Sequence, residues 1–139
     1  MKRINLTLTL TALLFMFAGC KKEEYAYPPV YGKIYCKTPN PKVGQPVVLT
    51  VEIKEPGNRI NNAVYRWKIR GNDDFDRQSS ARRESGASSI PDAPELTCTF
   101  PTNGTYNITM TASFSYTMGD VNTSMKGSAS ASGSVKINP

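Results

Sequence analysis

The densest set of potential ligands in this chain is NDDFD at 72–76, four oxygen-bearing side chains within five residues. Asn72, Asp73, Asp74 and Asp76 offer the hard oxygen donors that Ca²⁺ prefers. Charged loops of this kind are common on protein surfaces, so the expectation is a loop without metal and a protein without cofactor. A second set is the alternating row Arg66, Lys68 and Arg70, with Arg77, Arg82 and Arg83 in the long connection expected to follow. Such a row is either a solvated sheet face or a patch for acidic sugars or lipid phosphates. The chain has no histidine. That removes the commonest general base, Ser-His triads and histidine metal ligands together. A non-catalytic protein is expected.

Cys20 marks an abrupt change of character. Residues 4–18 carry no charge and follow Lys2 and Arg3, whereas Lys21, Lys22, Glu23 and Glu24 come directly after the cysteine. At 1.5 Å per residue the apolar run reaches about 22 Å, short of the roughly 30 Å of a bilayer core. A basic start, a short apolar run and small residues at its end describe a secretory signal. Phe17-Ala18-Gly19-Cys20 resembles the lipobox of bacterial lipoproteins, with Phe in place of the usual Leu. The resemblance implies that residues 1–19 are a lipoprotein signal peptide, that cleavage falls before Cys20, and that its thiol carries diacylglycerol. Two or three acyl chains, at about 0.8 kcal/mol per buried CH₂, would form a stable membrane anchor. Lys22-Glu23-Glu24 is similar to the Lys-acid-acid signal that sends some lipoproteins to the outer face of the outer membrane. The expected location is the cell envelope, lipid-anchored at the outer membrane and exposed at the cell surface.

The elements that follow must position the remaining candidates. Residues 20–31 hold Tyr25, Tyr27, Tyr31 and the pair Pro28-Pro29 without a periodic apolar face, and read as a tether whose tyrosines pack against the domain. Beyond it the dominant period is two. PVVLTVEIK turns Val47, Leu49, Val51 and Ile53 to one side; NAVYRWKIR turns Ala63, Tyr65, Trp67 and Ile69 inward and Val64, Arg66, Lys68 and Arg70 outward. These are half-buried strands, with Pro56-Gly57 supplying turn chemistry between them. TYNITMTASFSYT sets Tyr106, Ile108, Met110, Ala112, Phe114 and Tyr116 against polar residues. SMKGSASASGSVKIN sets Met125, Gly127, Ala129, Ala131, Gly133, Val135 and Ile137 against Lys126, four serines and Lys136. Together they predict a long hairpin around 118–120. Shorter strands are expected at 33–37 and in ELTCTF, with Leu96, Cys98 and Phe100 inward.

No segment after the leader has helical period. Six or seven antiparallel strands with one mid-strand Trp match an all-β, immunoglobulin-like sandwich over residues 32–139. VGQPVVLTVEI, YRWKIRGNDD and LTCTFPTNGTYNITMTAS fall in the order and spacing of a PKD domain, and the resemblance covers nearly all of residues 43–137. Its tightest family element, Trp-Asp-Phe-Gly-Asp-Gly, appears here only as Trp67-Lys68-Ile69-Arg70-Gly71-Asn72-Asp73, while the Gly104-Thr105-Tyr106 corner is kept. The resemblance implies a binding or spacer module of the kind found on glycan-handling and adhesive surface proteins. Expected partners are the membrane, through the anchor, and a glycan or another envelope protein. An alternative is an assembly subunit that pairs through an exposed strand edge around 121–137. Loss of Lys2 and Arg3 with the leader lowers the net charge from +6 to +4, a mild excess suited to anionic headgroups or polysaccharide. Nucleic acid is not an expected partner, because no aromatic-interleaved basic motif is present. Cys36 and Cys98 are expected as buried free thiols, since the 46–54 strand should lie between them and hold them about 10 Å apart.

Overall fold

A computed structural model describes residues 25–118 and 123–139. Among the described residues the domain is all-β, with seven strands: β1 (Val30–Cys36), β2 (Val47–Glu55), β3 (Ile60–Arg70), β4 (Phe75–Arg82), β5 (Glu95–Cys98), β6 (Gly104–Met118) and β7 (Thr123–Ile137). No described helix is long and apolar enough to cross a membrane. The hydrogen-bonded order is β4-β3-β6-β7-β1-β2-β5. It turns over at β1, whose pairing with β7 is parallel and centred on Lys33 and Ser132. On its other side β1 runs antiparallel to β2. The result is a sandwich, with β4-β3-β6-β7 in one layer, β2-β5 in the other, and β1 belonging to both.

Alternation explains the core. Tyr106, Ile108, Met110, Ala112, Phe114 and Tyr116 on β6 and Ala63, Tyr65, Trp67 and Ile69 on β3 are all buried, against Val47, Leu49, Val51, Leu96 and Phe100 from the other layer. Trp67 is wholly excluded from solvent, and its indole N–H donates to Ser79 Oγ at 2.9 Å, so the one polar atom of the ring is satisfied. β6 and β7 pair without a slip from Gly104–Ile137 to Met118–Thr123. The small residues of β7 make room for large ones opposite: a Cβ on Gly127 would strike the Tyr116 ring, and one on Gly133 would strike the Ile34 carbonyl. Met125 departs from expectation. It is 39% exposed, although its cross-strand partner Tyr116 is buried. The hairpin turn itself lies outside the described residues.

Two further differences from the sequence reading concern strand limits. β4 was expected as irregular chain; instead Phe75, Asp76, Arg77 and Arg82 lie on an edge strand paired with β3 throughout, from Ile69–Phe75 to Asn62–Arg82. Its sequence, FDRQSSAR, has no apolar alternation, since an edge strand covered on one face by few neighbours needs little of it. Ordered structure also reaches back before residue 32. Tyr27 bridges Asn58, Ala26 and Tyr31 are buried, and Tyr31 packs against Phe114, whereas Tyr25 and Tyr27 remain 54% and 48% exposed. One tyrosine of the three therefore packs into the domain.

Tyr106 fixes the turn before β6. Its hydroxyl donates to the Thr102 carbonyl at 3.0 Å and lies 2.6 Å from Thr102 Oγ1, the tyrosine corner of sandwich folds. Gly104, at φ 125°, occupies a conformation that only glycine enters without strain.

Candidate functional site

The strand directions divide the candidate residues between one end of the sandwich and one face. Residues 25–30 enter beside Asn58 and Ile60. At the far end of β3, about 35 Å away for an eleven-residue strand, the β3–β4 turn meets the chain at 43–44 and 99–101. They enclose a pocket of about 420 Å³ lined by Asp73, Asp74, Phe75 and Arg77 together with Val43, Gly44 and Phe100. Phe75 is half-buried. Its ring packs edge-on against Phe100 at 5.5 Å and Tyr106 at 6.3 Å, and the Arg77 guanidinium stacks over it at 4.8 Å. The pocket thus offers one aromatic ring, two carboxylates and a planar cation.

The acidic loop is engaged in holding this end together. Asp73 Oδ2 accepts from the Thr102 hydroxyl at 2.8 Å, Asp74 Oδ1 from the Gly71 N–H at 3.1 Å, and Asn72 Nδ2 donates to the Asn103 carbonyl at 2.7 Å. Asp76, on β4, pairs with Arg70 at 2.7 Å. The four candidate ligands thus point to four different partners. Among the described residues no three acidic or cysteine side chains converge.

Arg66, Lys68 and Arg70 are exposed on the outer face of β3. The hydrogen bond that Arg70 donates to Asp76 raises the Arg70 pKa further, so this guanidinium is both charged and partnered. Arg66 and Lys68 have no acidic partner among the described residues and line a shallow groove of about 250 Å³ with Gln78 and Asp76. The sequence pattern placed all three correctly on one face but put Arg77 in an irregular connection. That residue occupies an inward position of β4, opposite Trp67, and nothing in FDRQSSAR signals it without the strand.

Cys36 and Cys98 are free. β2 lies between them, Cys36 facing Leu49 and Cys98 facing Val47, as the strand argument requires. Cys36 is half-buried and not fully buried as expected: it is the last residue of β1, and its thiol points to the Thr38 carbonyl at 3.4 Å. Burial pushes the Cys98 thiol up to about 11, against a smaller lowering by the Arg77 charge. Cys20, Lys22, Glu23 and Glu24 lie outside the described residues.

The sandwich, its tyrosine corner and the Trp-bearing central strand define an immunoglobulin-like module of the extracellular binding or structural kind. Comparison with sequence families gives a match to the PKD domain over residues 37–132. The chain belongs to the PKD domain family. Comparisons with curated proteins and with solved structures return no match.

Proposed function

We propose that the protein is a lipid-anchored, non-catalytic binding module of the bacterial cell envelope, held at the outer membrane through Cys20 and presenting its far end to a glycan or protein ligand. The observation that carries this reading is the position of the Phe75–Arg77 pocket at the end of the sandwich opposite residue 25. A chain tethered at its start would hold that pocket about 35 Å further from the membrane surface. Sugar recognition suits the lining: the ring can stack on a pyranose face, while the guanidinium donates to hydroxyls and the free oxygens of Asp73 and Asp74 accept from them. The absence of histidine from the whole chain and the diverging carboxylates of 73–76 fit a binding role better than a catalytic one.

A second reading, assembly through a strand edge, rests on β7. β1 meets it only around Ser132, so residues 123–131 keep an outer edge without a strand partner among the described residues. A segment of another envelope protein could add there by main-chain hydrogen bonds. Two measurements test the proposal. A fatty-acid probe should label the protein in cells and fail to label Cys20→Ala, and a glycan array should show binding that Phe75→Ala and Arg77→Ala remove. An unlabelled wild type rejects the anchor. Array binding indifferent to both pocket variants rejects the pocket.

A further inference from the structure

Strand order brings together bases that are far apart in sequence. Lys68 on β3 faces Thr109 on β6, which faces Ser132 on β7, which faces Lys33 on β1. One row further along, Arg66, Thr111 and Ser130 line up, and towards the two ends Lys126 lies opposite Ser115 and Lys136 opposite Thr105. All these outward residues except Lys33, which β1 contributes, belong to the same four-stranded layer, and Arg82 on β4 extends it beside Asn62. The face therefore has a basic margin on β3 and β4, another on β7 and β1, and a field of hydroxyls between them. Neighbouring strands lie about 4.8 Å apart and outward residues about 6.8 Å apart along a strand, so the margins are separated by roughly 10–15 Å.

Among the described outward residues of β3, β4, β6 and β7 only one is acidic, and beside the β1 margin the Glu52 carboxylate lies over Gly32. Asp76 is already paired with Arg70, and the other ion pair among the described residues, Lys37 with Glu95, belongs to the opposite layer. Among the described residues, the side chains of Lys33, Arg66, Lys68, Arg82, Lys126 and Lys136 make no ion pair. A shallow groove of about 450 Å³ runs across the field beside Lys33, lined by Asn107, Thr109, Ser132 and Ser134. The mild net charge of the chain thus conceals a concentrated one-sided field, the arrangement that draws in a polyanion.

We propose that this face is a binding surface for an acidic polysaccharide, separate from the end pocket and independent of it. The charge fixes the sign of the partner. The hydroxyls, each able to donate and accept, match a polymer that itself carries hydroxyls between its carboxylates or sulfates. A lipid surface fits less well. Among the described outward residues of β3, β4, β6 and β7 the only apolar one is half-buried Val64, β1 adds one exposed ring, Tyr35, near Lys33, and a membrane-docking face relies on broader apolar insertion as well as charge.

The test uses immobilised polygalacturonate, neutral dextran, and vesicles of phosphatidylglycerol with phosphatidylcholine. Polygalacturonate should retain the protein at low salt, with affinity falling steeply as salt rises, and dextran should not. The double variant Arg66→Gln, Lys68→Gln and the triple variant Lys33→Gln, Lys126→Gln, Lys136→Gln should each weaken binding at least about tenfold. Arg70→Gln should change it less than about twofold, because Asp76 already neutralises that guanidinium, and Asp76→Asn should strengthen it. Lys54→Gln with Arg83→Gln, off this face, and Phe75→Ala, in the pocket, should leave it unchanged. Thermal melting of each variant verifies folding. No binding to polygalacturonate, an equal loss in the off-face variant, or vesicle binding as tight as polysaccharide binding would overturn the proposal, and none of these results bears on the pocket.

Discussion

Two tyrosines of the same core should respond in opposite directions to loss of a hydroxyl. Tyr106 gives its proton to the Thr102 carbonyl at 3.0 Å, and the Thr102 hydroxyl at 2.6 Å in turn donates to Asp73. Tyr106→Phe removes one hydrogen bond, at about 0.5–1.5 kcal/mol net, and leaves the half-buried Thr102 groups short of a partner. A loss of about 1–2 kcal/mol follows, which in a domain of this size lowers Tm by roughly 5–12 °C. Tyr65 is 2% exposed and its hydroxyl has no hydrogen-bond partner among the described residues. Burial holds that hydroxyl protonated, pushing its pKa up. Deleting it removes an uncompensated desolvation cost of about 1–3 kcal/mol, offset in part by the void one oxygen leaves. Tyr65→Phe should therefore be neutral or stabilising by about 1 kcal/mol. Urea unfolding monitored by Trp67 fluorescence measures both, with an unchanged slope required for the comparison. A Tyr65→Phe loss as large as that of Tyr106→Phe would refute the reasoning. It would mean that the neighbouring Tyr31 hydroxyl is a true partner.

Gly133→Ala should destabilise by about 1–3 kcal/mol, since its Cβ would meet the Ile34 backbone carbonyl where β7 passes β1; chemical denaturation measures it, and an unchanged midpoint would contradict the packing. Millimolar Ca²⁺ should leave the melting temperature unchanged, because the 72–76 side chains point to separate partners; a rise abolished by Asp74→Ala would overturn this. A thiol reagent should find Cys36 and Cys98 both reactive in the denatured, unreduced domain, and no reaction would reveal a bridge. The raised Cys98 pKa favours the fold while the thiol is protonated, so its contribution is complete below the ordinary value of 9.0 and declines as pH rises through about 11; stability measured from pH 8 to 11.5 should fall more steeply in wild type than in Cys98→Ala.

Alternation made most of the fold legible. The inward positions of β3 from Ala63 to Ile69 and of β6 from Tyr106 to Tyr116 were readable, because a strand buried on one face must repeat every second residue; buried Ile60, which opens β3, fell in a stretch rich in turn formers. β4 was not, since its inward row of Phe75, Arg77, Ser79 and Ala81 breaks that pattern. Its neighbours supply the pairing that its own sequence does not advertise. The basic face was half legible. Lys126 and Lys136 were visible as outward residues of one strand and Arg66, Lys68 and Arg70 of another, but only the strand order β3-β6-β7-β1 puts them on one surface with Lys33. Pairing between distant segments depends on three-dimensional closure, which a local period does not encode. The pocket was hidden for the same reason: Val43, Phe75 and Phe100 meet across two turns and an interstrand loop.

The crossing of β1 between layers has a consequence for how the chain acquires its shape. Lys33 waits for Ser132, so the first strand cannot complete its bonds until almost the whole sequence is present. Contacts this far apart in sequence make for slow closure, in the range of milliseconds to seconds. A chain delivered amino end first, from a ribosome or through a membrane, would hold β1 and β2 as an unfinished ribbon, its apolar face of Ile34, Leu49 and Val51 open to water and to other chains. Its safe interval is set by the rate of delivery, and a carrier that shields that ribbon until residue 132 arrives would raise yield without touching the stability of the finished domain.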